Sequence, residues 1–194
     1  HGFENNYVWV TGERTVSGEG GQYSIDIDDP SRISSRLEGP WAIVTDAQSG
    51  ETVGMERDIS DNNDIYWIGY DNSYRQEQSN VFYHTQIAHD FGIQPHINAE
   101  INSQTPLRVN LANSCNAFYN PRSMSISFYR RGIDNNGREC DALSLYSDVI
   151  YHEYGHGITV SLLGNWDPFS FPYWGETGNL NEALSDYTAC AISD

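Results

Sequence analysis

Short runs in which apolar and polar residues alternate dominate the first 57 residues of the chain. Runs of this kind, rich in Val, Ile, Tyr and Trp, are typical of β-strands. The strands are expected at 7–10, 22–27 and 41–45. Segments rich in Gly, Pro, Asp and Ser separate the runs and predict turns between them. Residues 1–57 are therefore expected to form a small all-β module.

A polar, turn-rich segment at 58–64 follows and marks the expected end of this module. Beyond it, apolar residues at helical spacing over 79–91 predict an amphipathic helix. Alternation over 107–111 and 124–129 predicts two strands, and the second is expected to pair with the segment 116–120. Helices and strands that follow one another in this way predict an α+β fold for the chain as a whole.

A second helical pattern, over 144–163, contains the pentad H-E-Y-G-H at 152–156. Residues four apart lie on the same face of a helix, so His152 and His156 can both reach one metal ion. Glu153 leaves the helix close to that face, where a carboxylate can take a proton from a metal-bound water. The pattern indicates a catalytic zinc site, and the alternative interpretation is a pair of histidines in the core.

A catalytic zinc site has three protein ligands, so the pentad needs one more. No histidine follows His156, and no cysteine lies close in sequence, which leaves a carboxylate at Glu176 or Glu182. Glu182 begins a run that predicts a further helix, and Asn179 could cap that helix with Glu182 at the reciprocal position. Asp186, one turn after Glu182, could accept the free ring N–H of a ligand histidine.

Two segments of the chain resemble the gluzincin class of zinc metallopeptidases, to which thermolysin and the fungalysin-type enzymes belong. They are H-E-Y-G-H-G-I-T at 152–159 and N-E-A-L-S-D at 181–186. The resemblance implies that residues 58–194 form a thermolysin-like N-terminal subdomain, with a mixed sheet and active-site helices. Residues 1–57 resemble the β-rich accessory modules that precede some fungalysin-like domains. The implied activity is that of an endopeptidase, which hydrolyses peptide bonds with a zinc-activated water.

The resemblance also implies a role for individual residues. Three side chains would bind zinc, namely His152, His156 and Glu182. Glu153 would act as the general base, Asp186 would orient a ligand histidine, and Tyr173 would help to stabilise the oxyanion. The family's spacing from the pentad to the third ligand fits Glu176 better, but the local motif surrounds Glu182, which we therefore prefer.

Two further expectations concern substrate and calcium. The segment 116–120 is similar to the family's edge strand, so Asn116 and Ala117 would bind an extended peptide or protein substrate through the main chain. Asp148, one helical turn before His152, matches a family carboxylate that binds Ca²⁺. The alternative role for Asp148 is a negative charge at the start of a helix.

Parts of the family pattern are missing from this sequence. Thermolysin-like enzymes take a second catalytic histidine and an arginine from a C-terminal subdomain, whereas this sequence ends at Asp194. We therefore expect that subdomain as a partner, and lower activity without it, because oxyanion stabilisation is a large catalytic contribution. The same gap favours a rival interpretation, a non-catalytic module that holds zinc for binding or structure. The presence of Glu153 favours the enzyme.

Charge restricts the partners. The chain has 27 acidic residues against 10 basic ones, all of them arginine, and a formal net charge of −17. An acidic surface of this kind argues against nucleic acid and anionic membranes as partners. No apolar run has the length needed to span a membrane. Any secretion leader is expected to have been removed or omitted before His1.

The cysteines suggest where the protein works. Cys115 and Cys140 bracket the predicted sheet region, and a disulfide between them would contribute roughly 3 to 4 kcal/mol by closing a loop in the unfolded chain. Disulfides are typical of extracellular proteins, so we expect a secreted protein. Cys190 is then either a buried thiol or the partner of a cysteine in a C-terminal part.

Overall fold

The computed structural model describes residues 3–10, 12–26, 32–58, 73–95, 97, 99, 101–163 and 175–194. Over these residues the chain has an α+β fold, as the sequence predicted. Its α-helices are α1 (Ser73–Gly92), α2 (Ser147–Leu162) and α3 (Gly175–Ser193). None of these described helices combines the length and the apolar character that crossing a membrane requires.

The strands of the described residues form two four-stranded sheets and a small ribbon. In chain order they are β1 (Tyr7–Val10), β2 (Glu13–Val16), β3 (Arg32–Arg36), β4 (Ala42–Asp46), β5 (Gly54–Asp58), β6 (Thr105–Ser114), β7 (Ala117–Asn120), β8 (Ser125–Arg130), β9 (Gly132–Ile133) and β10 (Glu139–Cys140). The first sheet has the order β2-β1-β3-β5, and all its neighbours are antiparallel. The second has the order β4-β6-β8-β7, parallel except for β7. The ribbon consists of β9 and β10.

The first sheet covers a small core of its own. Val8 and Val10 alternate with the half-buried Tyr7 and Trp9 along β1, and they are buried together with Ile33 of β3. The prediction of a strand at 22–27 is wrong for residues 22–26, which the structure describes and which form no strand. Tyr23 and Ile25 instead pack against the small core from an irregular segment. Alternating apolar side chains can therefore meet a burial requirement without any pairing of the backbone.

The strand predicted at 41–45 is confirmed as β4, but it belongs to the second sheet. It pairs in parallel with β6, with Ala42 opposite Thr105 and Asp46 opposite Val109. Residues before the predicted boundary at 57 thus supply one strand of the sheet that carries the rest of the fold. The division of the chain into an accessory module and a subdomain stays a prediction.

The main core lies between the second sheet and the helices. Phe82 of α1, Val44 of β4, Phe128 of β8 and Ile150 of α2 are all fully buried in it. The helix predicted at 79–91 is confirmed, although α1 begins earlier, at Ser73. Burial of one face of each helix against the sheet is the main source of stability for elements of this length.

One of the two outer strands of the second sheet, among the described residues, is β7. It pairs with β8, with Ala117 opposite Phe128 and Asn120 opposite Ser125, which confirms the predicted pairing. A disulfide between Cys115 and Cys140 is present, also as predicted. It ties the residues just before β7 to the end of β10, close in sequence to the start of α2.

Candidate metal centre

The pentad lies in the middle of α2. One face of this helix, with Ile150, Tyr154 and Ile158, is buried in the main core. His156 is also buried, and His152 is half-buried, so the two imidazoles lie where the helix leaves the core. The only acidic residue in its first turn is Asp148, where a negative charge interacts favourably with the helix dipole.

The second helix of the site, α3, begins at Gly175, whose φ of +71° suits glycine. Asn179 therefore lies inside the helix and does not cap it, so the capping-box explanation of Glu182 is wrong. That explanation failed because the residues before Asn179 also continue the helix. Glu182 occupies a helix-interior position on the face that α3 turns towards α2.

Three side chains from the two helices converge. The ligand atoms of His152, His156 and Glu182 all lie within 4.8 Å of one another, so this group could hold a metal ion. Glu182 Oε2 lies 3.2 Å from His152 Nε2, and Glu182 Oε1 lies 3.8 Å from His156 Nε2. No second group of three such side chains occurs among the described residues, at Asp148 or elsewhere.

Helix α3 also contacts the opposite nitrogen of each imidazole. His152 Nδ1 lies 2.8 Å from Asp186 Oδ1, and His156 Nδ1 lies 2.9 Å from Ser185 Oγ. When Nδ1 carries the ring proton and donates it, the lone pair of Nε2 is left for a metal ion. Each imidazole thus has a partner from α3 at Nδ1, whereas its Nε2 faces the Glu182 carboxylate.

Glu153 is buried beside this group, with 7% of its surface exposed. Burial raises the pKa of Glu153 to about 7, and the nearby Glu182 carboxylate adds to the increase. His152 and a hydrogen bond from the backbone N–H of Tyr119 act in the opposite direction. A carboxyl with a pKa near neutrality can both take up and release a proton at physiological pH.

The environment of His156 favours its neutral form. Burial lowers the pKa of His156, against smaller opposing effects of the Asn181 side chain and the Glu182 carboxylate. A neutral imidazole is the form that binds metal ions, because a protonated ring has no free lone pair. The buried position of this histidine therefore prepares it for ligation.

Two glycines let neighbouring elements approach the site closely. A Cβ atom at Gly155 would lie 3.0 Å from Ser185 Cα and 3.2 Å from Thr188 Cβ. A Cβ atom at Gly157 would lie 3.3 Å from the ring of Tyr119 on β7. Glycine costs about 1 kcal/mol of helix propensity at each position. The close contacts of α2 with α3 and β7 explain why it occurs there.

The remaining described residues that the sequence singled out do not belong to the converging group. Glu176 is exposed in the first turn of α3 and does not belong to the converging group. Ala117 begins β7 and is buried, and the carbonyl of Asn116 accepts a hydrogen bond from the N–H of Tyr129 at 3.0 Å. Tyr173 lies outside the described residues. Cys190 is a free, exposed thiol on α3, so the first of its two alternatives, a buried thiol, is wrong, and the second stays a prediction.

Sequence reasoning did not find Ser185 or the contact between Tyr119 and Glu153. A signal for Ser185 existed, because it lies three residues after Glu182 and hence on the same side of the helix. The Tyr119 contact brings together a strand and a helix that are distant in sequence, and no local pattern marks such a contact.

No known protein-family model matches this chain, and no curated protein matches it. The group of His152, His156 and Glu182 is therefore identified by its geometry and by the chemistry of its donor atoms. These two properties are the basis for a functional proposal.

Proposed function

We propose that this protein is a zinc-dependent endopeptidase of the gluzincin type, with His152, His156 and Glu182 as the zinc ligands. The observation that carries the proposal is the convergence of two imidazole nitrogens and one carboxylate oxygen within 4.8 Å of one another. Two histidines and one glutamate are a donor set of catalytic zinc sites, which keep a further position open for water. The resemblance of the two motifs to thermolysin and the fungalysin-type enzymes supports the same assignment.

Glu153 would move the protons of the reaction. Zinc at such a site supplies Lewis-acid polarisation of the scissile carbonyl and lowers the pKa of water towards about 7. The Glu153 carboxylate would hold the proton taken from the attacking water and deliver it to the nitrogen of the leaving amine. Its buried position beside the ligands suits this transfer.

The substrate would be an extended peptide. Strand β7 is one of the two outer strands of its sheet among the described residues. Its Tyr119 forms a backbone hydrogen bond with Glu153, and the Tyr119 ring lies beside Gly157 of α2. An outer strand can accept a further strand through main-chain hydrogen bonds. We propose that the main chain around Asn116 and Ala117 binds substrate in this way, next to the metal centre.

Secretion and the absence of nucleic-acid partners belong to the same proposal. The Cys115–Cys140 disulfide is of a kind that persists in oxidising, extracellular surroundings. The net charge of −17 would repel nucleic acid and anionic membranes. We further propose that a C-terminal subdomain completes the oxyanion-stabilising part of the site. Calcium stays a weaker proposal, since Asp148 is not part of a ligand group among the described residues.

The decisive experiment combines metal analysis with peptide cleavage. The purified chain is expected to bind one zinc ion and to cleave an unstructured polypeptide. Glu153→Gln should retain the zinc and lose about 10²- to 10⁴-fold in cleavage rate, the usual effect of removing a general base. Glu176→Gln, the same change at an exposed site outside the group, should alter neither property.

Two outcomes would count against the enzyme. A chain that takes up no zinc would contradict the zinc assignment. Zinc binding without cleavage, by this chain and by any longer form, would favour the rival, a non-catalytic zinc-holding module.

A further inference from the structure

We propose that Ser185 positions His156 for metal binding, by accepting the Nδ1–H of the imidazole so that the Nε2 lone pair faces the metal position. This inference rests on the proposed function only in taking His156 as a ligand. Ser185 would be a positioning residue, since its hydroxyl touches the ligand ring and not the metal or the substrate.

The hydrogen bond is closed to solvent. Ser185 is 0% exposed, and its Oγ lies 2.9 Å from Nδ1 of the buried His156. The corresponding partner of His152 is different, because the Asp186 side chain is 75% exposed. If the Ser185 hydroxyl were removed, the ring would lose this partner, and water could not readily replace it in a buried position.

The surroundings of His156 determine which nitrogen carries the proton. A serine hydroxyl can accept or donate, so its bond to Nδ1 permits either tautomer. The distance from Nε2 to Glu182 Oε1 is 3.8 Å, which is too long for a hydrogen bond. A proton on Nε2 would therefore lack an acceptor in Glu182, whereas a proton on Nδ1 has one in Ser185. The Nδ1–H tautomer, which leaves Nε2 free, is favoured.

A nearby amide also interacts with this imidazole. Asn181 lies one helical turn before Ser185 and is 1% exposed, and its side chain raises the pKa of His156 against the larger effect of burial. Its Oδ1 has no partner at full hydrogen-bond geometry. The Nδ1 contact that satisfies the hydrogen-bond geometry is the one to Ser185. That contact depends on the close approach of α2 and α3 at Gly155.

The test compares Ser185→Ala with Thr188→Val, each of which removes one hydroxyl from the buried side of α3. Thr188 packs at the same glycine, but its hydroxyl donates to the carbonyl of Leu184 in its own helix, at 2.8 Å. It is therefore a matched control that does not touch the imidazole. The readouts are zinc affinity by chelator competition and the tautomer of His156 by ¹⁵N NMR on the metal-free protein, with thermal unfolding as a check on folding.

We expect Ser185→Ala to lower zinc affinity by about 10- to 100-fold, the usual effect of losing a partner of a ligand histidine. We also expect His156 to change from the Nδ1–H tautomer to a mixture, and Thr188→Val to alter zinc affinity by less than about twofold, within the variation of a neutral change. Unchanged affinity and an unchanged tautomer in Ser185→Ala would overturn the proposal.

The tautomer measurement separates this inference from the proposed function. A wild-type protein that binds no zinc would contradict the proposed function, yet the position of the His156 proton would still decide the role of Ser185. If Ser185→Ala does not fold, the wild-type spectrum alone is sufficient. A proton on Nε2 of His156 in the folded, metal-free protein would refute the inference.

Discussion

His152 Nε2 and Glu182 Oε2 lie 3.2 Å apart, although the histidine belongs to α2 and the glutamate to α3. The other oxygen of the same carboxylate faces His156 Nε2 at 3.8 Å. Glu182 thus contacts both imidazoles from one position, while its side chain is still 55% exposed. A cation can reach the group from solvent, and a carboxylate with two imidazoles offers it three ligands without any change of fold.

The first prediction separates the two carboxylates that the sequence left as alternatives. Glu182→Gln should weaken zinc binding by at least about 100-fold, because it removes a ligand itself and should exceed the loss of an outer partner. Glu176→Gln makes the same change at the exposed start of the same helix and should leave the affinity unchanged. Isothermal titration of the metal-free variants would measure both. A larger loss of zinc affinity in Glu176→Gln than in Glu182→Gln would identify Glu176 as the ligand.

The second prediction concerns the pH dependence of stability in the metal-free protein. Burial raises the pKa of Glu153 from 4.5 to about 7, so the folded state holds this proton more tightly than the unfolded state does. The resulting stabilisation is fully present below about pH 4.5 and is lost as the pH rises to about 7. The loss should be on the order of 3 kcal/mol.

Denaturant unfolding across this pH range, with chelator present, would measure the effect. Glu153→Gln carries no titrating group, and its stability should therefore fall less steeply between about pH 4.5 and 7. If the variant and the wild type followed the same pH dependence, the assignment of the raised pKa to Glu153 would be incorrect.

The third prediction concerns the contact between α2 and α3. Gly155→Ala should destabilise the protein by about 1 to 3 kcal/mol, because the added Cβ would lie 3.0 Å from backbone of α3. This cost should exceed the gain of about 1 kcal/mol in helix propensity. Gly157→Ala is the control, since its Cβ would meet the ring of Tyr119 at 3.3 Å, and a side chain can yield more easily than backbone.

The free energy of unfolding of both variants would decide this point. We expect Gly155→Ala to lose stability and zinc affinity together, because α3 carries Glu182 and the partners of both histidines. A Gly155→Ala protein more stable than the wild type would show that the two helices do not need this close approach.

The fourth prediction concerns the disulfide. Replacing Cys115 and Cys140 by serine should lower the free energy of unfolding by roughly 3 to 4 kcal/mol, because the unfolded chain is no longer closed into a loop. The bridge spans a sequence separation of 25 residues. Cys190→Ser, which changes an exposed thiol, should have almost no effect. Equal stability of all three proteins would contradict a stabilising role for the bridge.

Periodicity along the chain predicted the elements that bury one face, including α1 and the strands β1, β4 and β8. It was wrong where an irregular segment meets the same burial requirement, as Tyr23 and Ile25 do. It also assigned β4 to the first 57 residues without showing that this strand joins the second sheet. Strand partners depend on contacts between residues distant in sequence, which alternation does not encode.

The sequence by itself determined which side chains can act together along one helix. His152 and His156 are one turn apart, as are Glu182 and Asp186, and any helix places such pairs on the same side. Only the tertiary structure decided that Glu182, and not Glu176, faces the histidines, and that Ser185 lies against His156. The physical reason is the packing of α2 against α3 at Gly155, because that contact sets which turn of one helix meets which turn of the other.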